Sequence, residues 1–314
     1  MQARAARLYE HGEPLRVEPT ELAQPGDGDV VVDMQFAGVN PVDHYGALGR
    51  VAPDAPLPRT LGMEGVGQVA GVTYLVHGRG MGTTRDGVWS EKAIVAKDAL
   101  VEVPESVPPE EAAAMGVAGV TAWRTVTELG QVSPEDRVLI LGASGGVGSM
   151  AVSVAHSCGA TVWGQTGHAA KEKWISDQGA DHVVVSDVAG LQVALGDYRP
   201  TVVIDPLGDG FTGAAIAVMA PHGRLVIFGT SAGGEGQLPL QALYRKGLTV
   251  LGYAGLLASD ETLARAKRDA LKALAEGRLK ATIDSVRSLV DVNEAFNRLD
   301  DRSVTGKIIL DLHA

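Results

Sequence analysis

A short apolar run, a glycine-rich turn and a helix-length segment follow one another between residues 137 and 157. Residues 137–141 predict a buried strand, and the segment from Gly146 to Ser157 predicts a helix. This order brings backbone N–H groups and a helix N-terminus to one point, where an anionic pyrophosphate can bind. The glycines at 142, 145, 146 and 148 depart from the strict G-x-G-x-x-G spacing, so the turn alone is a weak signal of dinucleotide binding.

The following part of the chain continues the same alternation. Further short apolar runs occur at 161–164, 182–185, 201–204, 224–228 and 248–253, and helix-length segments separate most of them. Short apolar strands that alternate with helices are typical of a parallel sheet covered on both faces, which is an α/β architecture. Residues 138–170 carry no charge and have the length of a membrane span. Their recurring glycines and serines favour strand, turn, helix and strand instead.

The N-terminal part of the chain predicts β structure. In the segment 29–36, valine, methionine and phenylalanine alternate with polar residues, which indicates a half-buried strand. Frequent proline and glycine indicate a loop-rich, barrel-like domain. Near the C-terminus, Ser259 and Gly277 mark the ends of a predicted helix, and residues 306–312 predict a last strand.

Bulk properties limit the possible functions. A chain of 314 residues suggests two domains, and its net charge of −11 disfavours a nucleic-acid partner because phosphate binding requires a basic surface. Cys158 is the only cysteine, so an intramolecular disulfide is excluded and a reducing compartment is expected. The polar N-terminus lacks the pattern of a secretory signal. We therefore expect a cytoplasmic protein with no membrane partner.

The segment after the second strand of the alternating series bears on cofactor choice. An NAD-binding fold usually carries Asp or Glu there for the ribose 2′-hydroxyl. Here Gln165 stands near that place, no acid precedes Glu172, and Lys171 and Lys173 could attract a 2′-phosphate. The two lysines could equally be solvated helix residues. The missing acid is the stronger evidence, and it predicts NADPH.

Six motifs together are more specific than the glycine turn. They are G-V-N-P-V-D-H-Y at 38–45, L-G-M-E-G at 61–65, G-V-T-A-W at 119–123, G-A-S-G-G-V-G at 142–148, D-P-L-G at 205–208 and G-K-I-I-L at 306–310. With these motifs the chain resembles the zinc-independent quinone oxidoreductases (ζ-crystallin-like) of the medium-chain dehydrogenase/reductase superfamily. The resemblance implies an α/β fold with a discontinuous GroES-like β-rich catalytic domain, 1–116 and 255–314. It also implies a Rossmann NADPH-binding domain with a doubly wound parallel sheet, 117–254.

The resemblance also implies roles for individual residues. Asn40 and Thr121 are expected near the nicotinamide, Lys171 at the 2′-phosphate, and Tyr45 as a substrate contact or proton donor. Tyr45 and Asn40 are thus the predicted catalytic residues. The predicted cofactor-binding residues are Asn40, Thr121, Ala143, Ser144, Gly145, Gly146, Val147, Gly148, Thr166, Gly167, Lys171, Phe228, Gly229 and Lys307.

Two departures from the family pattern stand out. Ser186 replaces a tyrosine that helps the lysine bind the phosphate in relatives, and a segment at 78–82 replaces the usual G-D-R-V turn. The first weakens the evidence for NADPH slightly, and the second concerns the shape of the substrate mouth.

No metal site is expected. A catalytic zinc ion takes three protein ligands, and zinc-dependent relatives carry a histidine where this chain has Met63. Cys158 lies in the predicted Rossmann part, and the histidines show no ligand spacing.

Oxidation of an alcohol needs a Lewis acid such as zinc to stabilise the alkoxide. Without one, reduction of an electron-poor C=C bond is the easier reaction. We expect a small-molecule substrate with such a bond, and three functions stay open. They are a quinone or enone reductase, a stand-alone enoyl reductase acting on a thioester in a biosynthetic pathway, and a protein that binds NADPH without turnover. The apolar run 248–253 is a plausible exposed sheet edge, and the resemblance implies a homodimer formed there.

Overall fold

The computed structural model describes all 314 residues, and they form two compact units. The first unit comprises residues 1–120, 256–275 and 281–314; the second comprises 121–255 and 276–280. Residues 117–120 thus pack with the first unit and residues 276–280 with the second. None of the helices combines the length and the apolar character needed to cross a membrane.

The chain has sixteen strands: β1 (Gln2–Leu8), β2 (Arg16–Glu21), β3 (Asp29–Val39), β4 (Arg59–Thr60), β5 (Glu64–Val69), β6 (Val72–His77), β7 (Lys92–Ala96), β8 (Leu100–Glu102), β9 (Arg137–Ile140), β10 (Thr161–Thr166), β11 (His182–Val185), β12 (Val202–Asp205), β13 (Arg224–Ile227), β14 (Thr249–Gly252), β15 (Ile283–Ser288) and β16 (Lys307–Asp311).

Its ten α-helices are α1 (Pro41–Ala47), α2 (Pro109–Ala112), α3 (Val120–Trp123), α4 (Gly146–Ser157), α5 (Glu172–Asp177), α6 (Leu191–Leu195), α7 (Asp209–Val218), α8 (Leu240–Lys246), α9 (Asp260–Ala275) and α10 (Val292–Asp300). The π-helical turns Met115–Gly119 and Arg124–Leu129 flank α3, and four short 3₁₀ turns complete the regular structure.

Two sheets form the first unit. One has the order β2-β1-β4, and the other has the order β15-β16-β3-β5-β6-β8, with β7 paired to β3. Because Val32 and Met34 of β3 are fully buried while Asp33 is exposed, the predicted alternation is confirmed in this strand. A register shift between Met34 and Phe36 bends the strand, and β3 continues beyond the predicted end to Val39. The carboxyl end of β3 is therefore where the G-V-N motif begins.

The second unit is a six-stranded parallel sheet with the order β11-β10-β9-β12-β13-β14. This is the doubly wound Rossmann order 3-2-1-4-5-6, in which ligands bind at the carboxyl ends of the strands near the first crossover. The α/β fold class predicted from the alternating pattern is confirmed. Strand β9 and helix α4 lie where the sequence places them, because both depend on local pattern alone.

The helix-length segment between β10 and β11 contains only a short helix. Residues Ala169–Lys171 form a 3₁₀ turn, and α5 begins only at Glu172. Helix α9 behaves as predicted: the Ser259 hydroxyl oxygen accepts a hydrogen bond from the Thr262 amide at 3.2 Å, which is an N-terminal cap.

Candidate functional site

The glycine-rich turn of the second unit is held to the neighbouring strand through both the side chain and the backbone of one residue. The Gly142 amide donates to Oε1 of Gln165 at 3.0 Å, and the Ala143 amide donates to the Gln165 carbonyl at 2.8 Å. A Cβ atom built on Gly148 would lie 2.3 Å from the Gly142 carbonyl oxygen, so only glycine lets α4 pack this close to the turn. The turn is thus rigid and tight.

Helix α4 starts at this turn with no side chain over its first N–H groups. Gly145 is the N-cap residue and provides no side-chain hydrogen bond to the twelve-residue helix. The first N–H groups of a helix have no partner within the helix and attract anions. Gly145 is also the residue where the predicted phosphate-binding segment, 143–148, passes into the helix. The arrangement fits the pyrophosphate of a dinucleotide.

Gln165 has a different role from the one that its sequence position suggests. It is 2% exposed, and its Nε2 donates to the Ser186 carbonyl at 2.7 Å while its Oε1 accepts from Gly142 at 3.0 Å. Both ends of the amide are therefore used to brace the glycine turn against the end of β11. The Gln165 side chain is therefore not available to bind the ribose. A preference for NADPH has to come from the residues that follow it.

Those residues lie together at the carboxyl ends of β10 and β11. The Thr166 carbonyl accepts the Ser186 amide at 3.0 Å, and the Thr166 hydroxyl accepts the His168 amide at 3.3 Å. The space around Gly167 is open, since a Cβ atom built there has no atom within 4 Å. The Ser186 hydroxyl is buried without a partner, and half-buried Lys171 ends the 3₁₀ turn that follows. No acidic residue occurs between Gln165 and Glu172.

Three other predicted cofactor-binding residues, Thr121, Phe228 and Gly229, lie in the second unit. The Phe228 amide donates to the Asp205 carbonyl at 3.0 Å, and a Cβ atom on Gly229 would lie 2.8 Å from the Pro206 carbonyl oxygen. Thr121 is 8% exposed, and its carbonyl accepts the Thr125 hydroxyl at 2.7 Å.

In the first unit, four polar side chains form a closed network in the protein interior. The Lys307 ammonium donates to Glu64 Oε1 at 2.8 Å, to Asn40 Oδ1 at 2.6 Å and to the Val39 carbonyl at 3.0 Å. Asn40 Nδ2 donates to the same Glu64 oxygen at 2.8 Å and to Asp43 Oδ2 at 3.1 Å. None of the four side-chain residues is more than 3% exposed. The network joins the ends of β3, β5 and β16 to the start of α1.

Backbone amides donate further hydrogen bonds to the two carboxylates of this network. Asp43 accepts the Asn40 amide at 2.9 Å and the Met63 amide at 3.0 Å, and Glu64 Oε2 accepts the Val117 amide at 2.7 Å. Burial raises the pKa of Asp43 to about 7; the Lys307 ammonium and the Asn40 hydrogen bonds lower it, and the Glu64 carboxylate adds to the increase. Two acids and one ammonium ion therefore share the interior, and the pKa of one of the acids falls near neutrality.

This geometry corrects two predicted roles. All three N–H groups of Lys307 have protein acceptors, so it has none left for a cofactor. Both N–H groups of the Asn40 side chain are also used, by Asp43 and Glu64, which leaves no side-chain donor to orient a cofactor amide. Both residues are buried, and the polar groups of both side chains are paired within the protein.

Tyr45 lies outside this network on helix α1. The side chain is half-buried, and the Arg50 guanidinium lies 6.0 Å from the centre of its ring. Its hydroxyl makes no hydrogen bond to the protein, whereas the Asn40–Asp43 capping box fixes the start of its helix. The phenol is therefore held by a rigid element and has its donor free.

Comparisons with known proteins agree with this architecture. The family described as alcohol dehydrogenase GroES-like domain matches residues 26–105, and the family described as zinc-binding dehydrogenase matches residues 146–276. Quinone oxidoreductase-like protein 2 of Mus musculus is 28% identical over 322 residues, which is 98% of this chain and 92% of that protein. A phenolphthiocerol/phthiocerol polyketide synthase of Mycobacterium tuberculosis is 29% identical over 318 residues, which is 95% of this chain but 14% of the synthase polypeptide.

Among solved structures, Escherichia coli quinone oxidoreductase complexed with NADPH superposes with a TM-score of 0.86. It is 25% identical, and the match covers 98% of this chain and 100% of the bacterial enzyme. Over nearly its whole length the chain is thus similar to quinone oxidoreductase-like proteins of the medium-chain dehydrogenase/reductase superfamily. The two family models between them match parts of both compact units.

The structure brings no set of metal ligands together. Met63 is buried, and its carbonyl contacts Nδ1 of buried His77 at 3.2 Å. Burial lowers the pKa of His77 to about 4, and the nearby Lys267 ammonium contributes to the decrease. No group of three or more histidine, cysteine, aspartate or glutamate side chains is placed to hold an ion, and half-buried Cys158 lies in the other unit.

Two residues of the buried polar network were not predicted from the sequence as partners of Asn40. Glu64 follows Met63 in a quoted motif, and Asp43 lies three residues after Asn40 in another, but neither spacing shows that both reach the same amide. A carboxylate inside an apolar strand, as in residues 64–69, is the one signal that could have indicated a buried ion pair.

Proposed function

We propose that this chain is a zinc-independent, NADPH-dependent reductase of activated C=C bonds, acting on quinones or enones. The similarity to quinone oxidoreductase-like proteins, one of them solved with NADPH, supports an NADPH-dependent oxidoreductase. The observation that carries the finer proposal is Met63, because its thioether replaces the histidine ligand of zinc-dependent relatives and no other ligand set is present. A reductase without a Lewis acid needs a substrate that already stabilises negative charge, and a conjugated carbonyl does so.

The second unit fits the cofactor. The uncapped start of α4 and the glycine turn would hold the pyrophosphate, and Thr166, Gly167, Ser186 and Lys171 would hold the 2′-phosphate. NADPH supplies a hydride when bound. Phe228 and Gly229 would shape the nicotinamide side, and Thr121 would add a contact there. We propose residues 117–254 as the cofactor-binding domain and 1–116 with 255–314 as the catalytic domain; residues 117–120, 255 and 276–280 pack with the other unit in each case.

On the substrate side, the chain has to stabilise the enolate oxygen that forms as the β-carbon is reduced. A donor aimed at such an oxygen is worth on the order of 100-fold or more in rate. Tyr45 has an unused hydroxyl on a helix whose start is fixed by Asn40 and Asp43. We assign Tyr45 the donor role, and we assign Asn40 the role of positioning it.

A substrate panel tests this proposal. NADPH oxidation is measured with a 1,4-quinone, a simple enone and an enoyl thioester, and NADH is run in parallel. Turnover of the quinone or the enone supports the proposal, and NADPH binding without any turnover would leave only a binding protein. Tyr45→Phe should then lower kcat with little change in Tm; unchanged turnover at all pH values would remove Tyr45 from the mechanism.

A stand-alone enoyl reductase is the second candidate. It is favoured by the alignment of 95% of this chain with one part of a mycobacterial polyketide synthase. The net charge of −11 disfavours docking of an acidic carrier protein. Turnover confined to the enoyl thioester in the same panel would favour this candidate.

We also propose a cytoplasmic homodimer. Strand β14 is a sheet edge without charged residues, which is the kind of edge that pairs with a second copy. A monomer in sedimentation at micromolar concentration would contradict the dimer. A single half-buried cysteine, Cys158, suits a reducing compartment.

A further inference from the structure

A buried carboxylate fixes the turn that follows β12. Asp205 is fully buried, and its Oδ1 accepts the Leu207 amide at 2.8 Å and the Gly208 amide at 3.1 Å. Its Oδ2 accepts the Thr212 hydroxyl at 2.6 Å. The carboxylate therefore determines the conformation of residues 206–208 directly and contacts the following helix α7 with its other oxygen.

The turn at residues 206–208 supports the loop that follows β13. The Pro206 carbonyl accepts both the amide and the hydroxyl of Ser231 at 3.1 Å, and the Leu207 carbonyl accepts the Ala232 amide at 2.8 Å. A parallel bridge between Gly208 and residue 233 extends the same pairing. The loop 228–233 thus has the Asp205 turn as its support.

The glycine turn has a separate support. It lies close to residues 206 and 207 without a hydrogen bond to them; a Cβ atom built on Gly142 would lie 3.2 Å from side-chain carbons of Pro206 and of Leu207. Its hydrogen bonds go to Gln165 instead. Two buried side chains, Gln165 and Asp205, therefore hold two different segments of the proposed cofactor site.

We infer that Asp205 is a positioning residue that sets the nicotinamide side of the cofactor site, independently of the phosphate side that Gln165 supports. This inference rests on the proposed function, which assigns the loop 228–233 to the nicotinamide. Removing the Asp205 carboxylate leaves two buried backbone N–H groups without an acceptor, so the turn has to rearrange. The loop on top of it moves with the turn.

The effects of Asp205 and Gln165 on the two parts of the cofactor site can be measured separately with two ligands. 2′,5′-ADP contains the adenosine and 2′-phosphate part of the cofactor, whereas NADPH adds the nicotinamide. We expect Asp205→Ala to weaken NADPH binding about tenfold or more and to change 2′,5′-ADP binding less than about twofold. Gln165→Leu should weaken the binding of both ligands. Calorimetric titration of the unaltered chain and of the two variants gives all six dissociation constants without a turnover assay.

Matched variants distinguish positioning from loss of stability. Asp205→Asn keeps an oxygen for the two amides and offers a donor to Thr212, so NADPH binding should return to within about threefold of the unaltered chain. Thr212→Val removes only the bond to Oδ2, and should lower Tm without changing the ratio of the two affinities. If Asp205→Ala does not fold, Asp205→Ser keeps a shorter polar side chain at the same place; it should weaken its hold on the Leu207 and Gly208 amides and show the same selective loss for NADPH.

Several outcomes would overturn the inference. Equal weakening of both ligands by Asp205→Ala, or no weakening of either, contradicts an independent nicotinamide support. The same selective loss in Thr212→Val would show that helix packing, and not the turn, is responsible. If the unaltered chain binds 2′,5′-ADP and NADPH at no concentration tested, the proposed function fails and the inference fails with it.

Discussion

The Lys307–Glu64 pair gives the sharpest prediction for the first unit. Their side chains are 3% and 0% exposed and lie 2.8 Å apart. At an effective dielectric constant of about 20, this separation corresponds to about 6 kcal/mol of attraction before desolvation is subtracted. Replacing Lys307 by methionine preserves much of the length of the side chain but leaves the Glu64 carboxylate without its counter-charge.

We expect Lys307→Met to lower the free energy of unfolding by about 3–5 kcal/mol near neutral pH, which is typical when one partner of a buried pair is removed. The loss should depend on pH with a definite sign. The Lys307 ammonium lowers the pKa of Asp43, so its removal raises that pKa, and the folded chain then takes up a proton more readily than the unfolded chain. Stability of the variant therefore falls as pH rises from about 5 to 8, relative to the unaltered chain.

Urea-induced unfolding at pH 5 and pH 8, followed by circular dichroism and by tryptophan fluorescence, measures both effects. Trp89 is fully buried in the first unit and reports on it. The control is Lys307→Met in a Glu64→Gln background, where the cost should fall to about 1–2 kcal/mol because no carboxylate is stranded. A cost below about 1 kcal/mol, or the same cost in both backgrounds, would refute the proposed role of the pair.

Three further predictions concern single residues. Asp43 has a pKa raised to about 7 in the folded chain, so stability falls as pH rises from about 4 to 7; Asp43→Asn should flatten this slope in urea unfolding, and an unchanged slope would assign it to another group. Lys171→Ala should raise the KM for NADPH about tenfold while the KM for NADH stays nearly constant, since one charge-assisted contact is lost; parallel loss for both cofactors would contradict a 2′-phosphate contact. Gly148→Val should abolish NADPH binding in a titration, because its Cβ would meet the Gly142 carbonyl at 2.3 Å; retained affinity would show that α4 can move away.

Local pattern is enough to predict the strand, turn and helix that form the phosphate side. Strand β9 and helix α4 lie where periodicity places them, and their relation follows from the short turn between them. The 3₁₀ turn Ala169–Lys171 does not follow from the sequence, because the residues on either side of Glu172 favour helix equally well. Propensity does not distinguish the first turn of a helix from the turn that precedes it.

The buried network cannot be predicted in the same way. The family motif predicts a cofactor contact for Lys307, yet this residue lies 243 positions from Glu64 and pairs with it across the first unit. The sequence pattern shows that a lysine precedes an apolar strand, and it contains no information on which carboxylate faces that lysine. Only the antiparallel register of β16 on β3, with Ile308 opposite Val39, places the ammonium beside Asn40.

The two halves of the proposed site should also differ in their tolerance to change. The pyrophosphate turn, 142–148, consists of backbone groups and glycines, so side-chain changes that disturb it, other than at the glycines, should act mainly through Gln165. In the first unit the helix α1 that carries Tyr45 depends at its start on charged side chains with no solvent to replace a lost partner. Substitutions at Asn40, Asp43, Glu64 or Lys307 should therefore change stability and kcat together, whereas substitutions at Tyr45, which touches no member of the network through its hydroxyl, should change kcat alone.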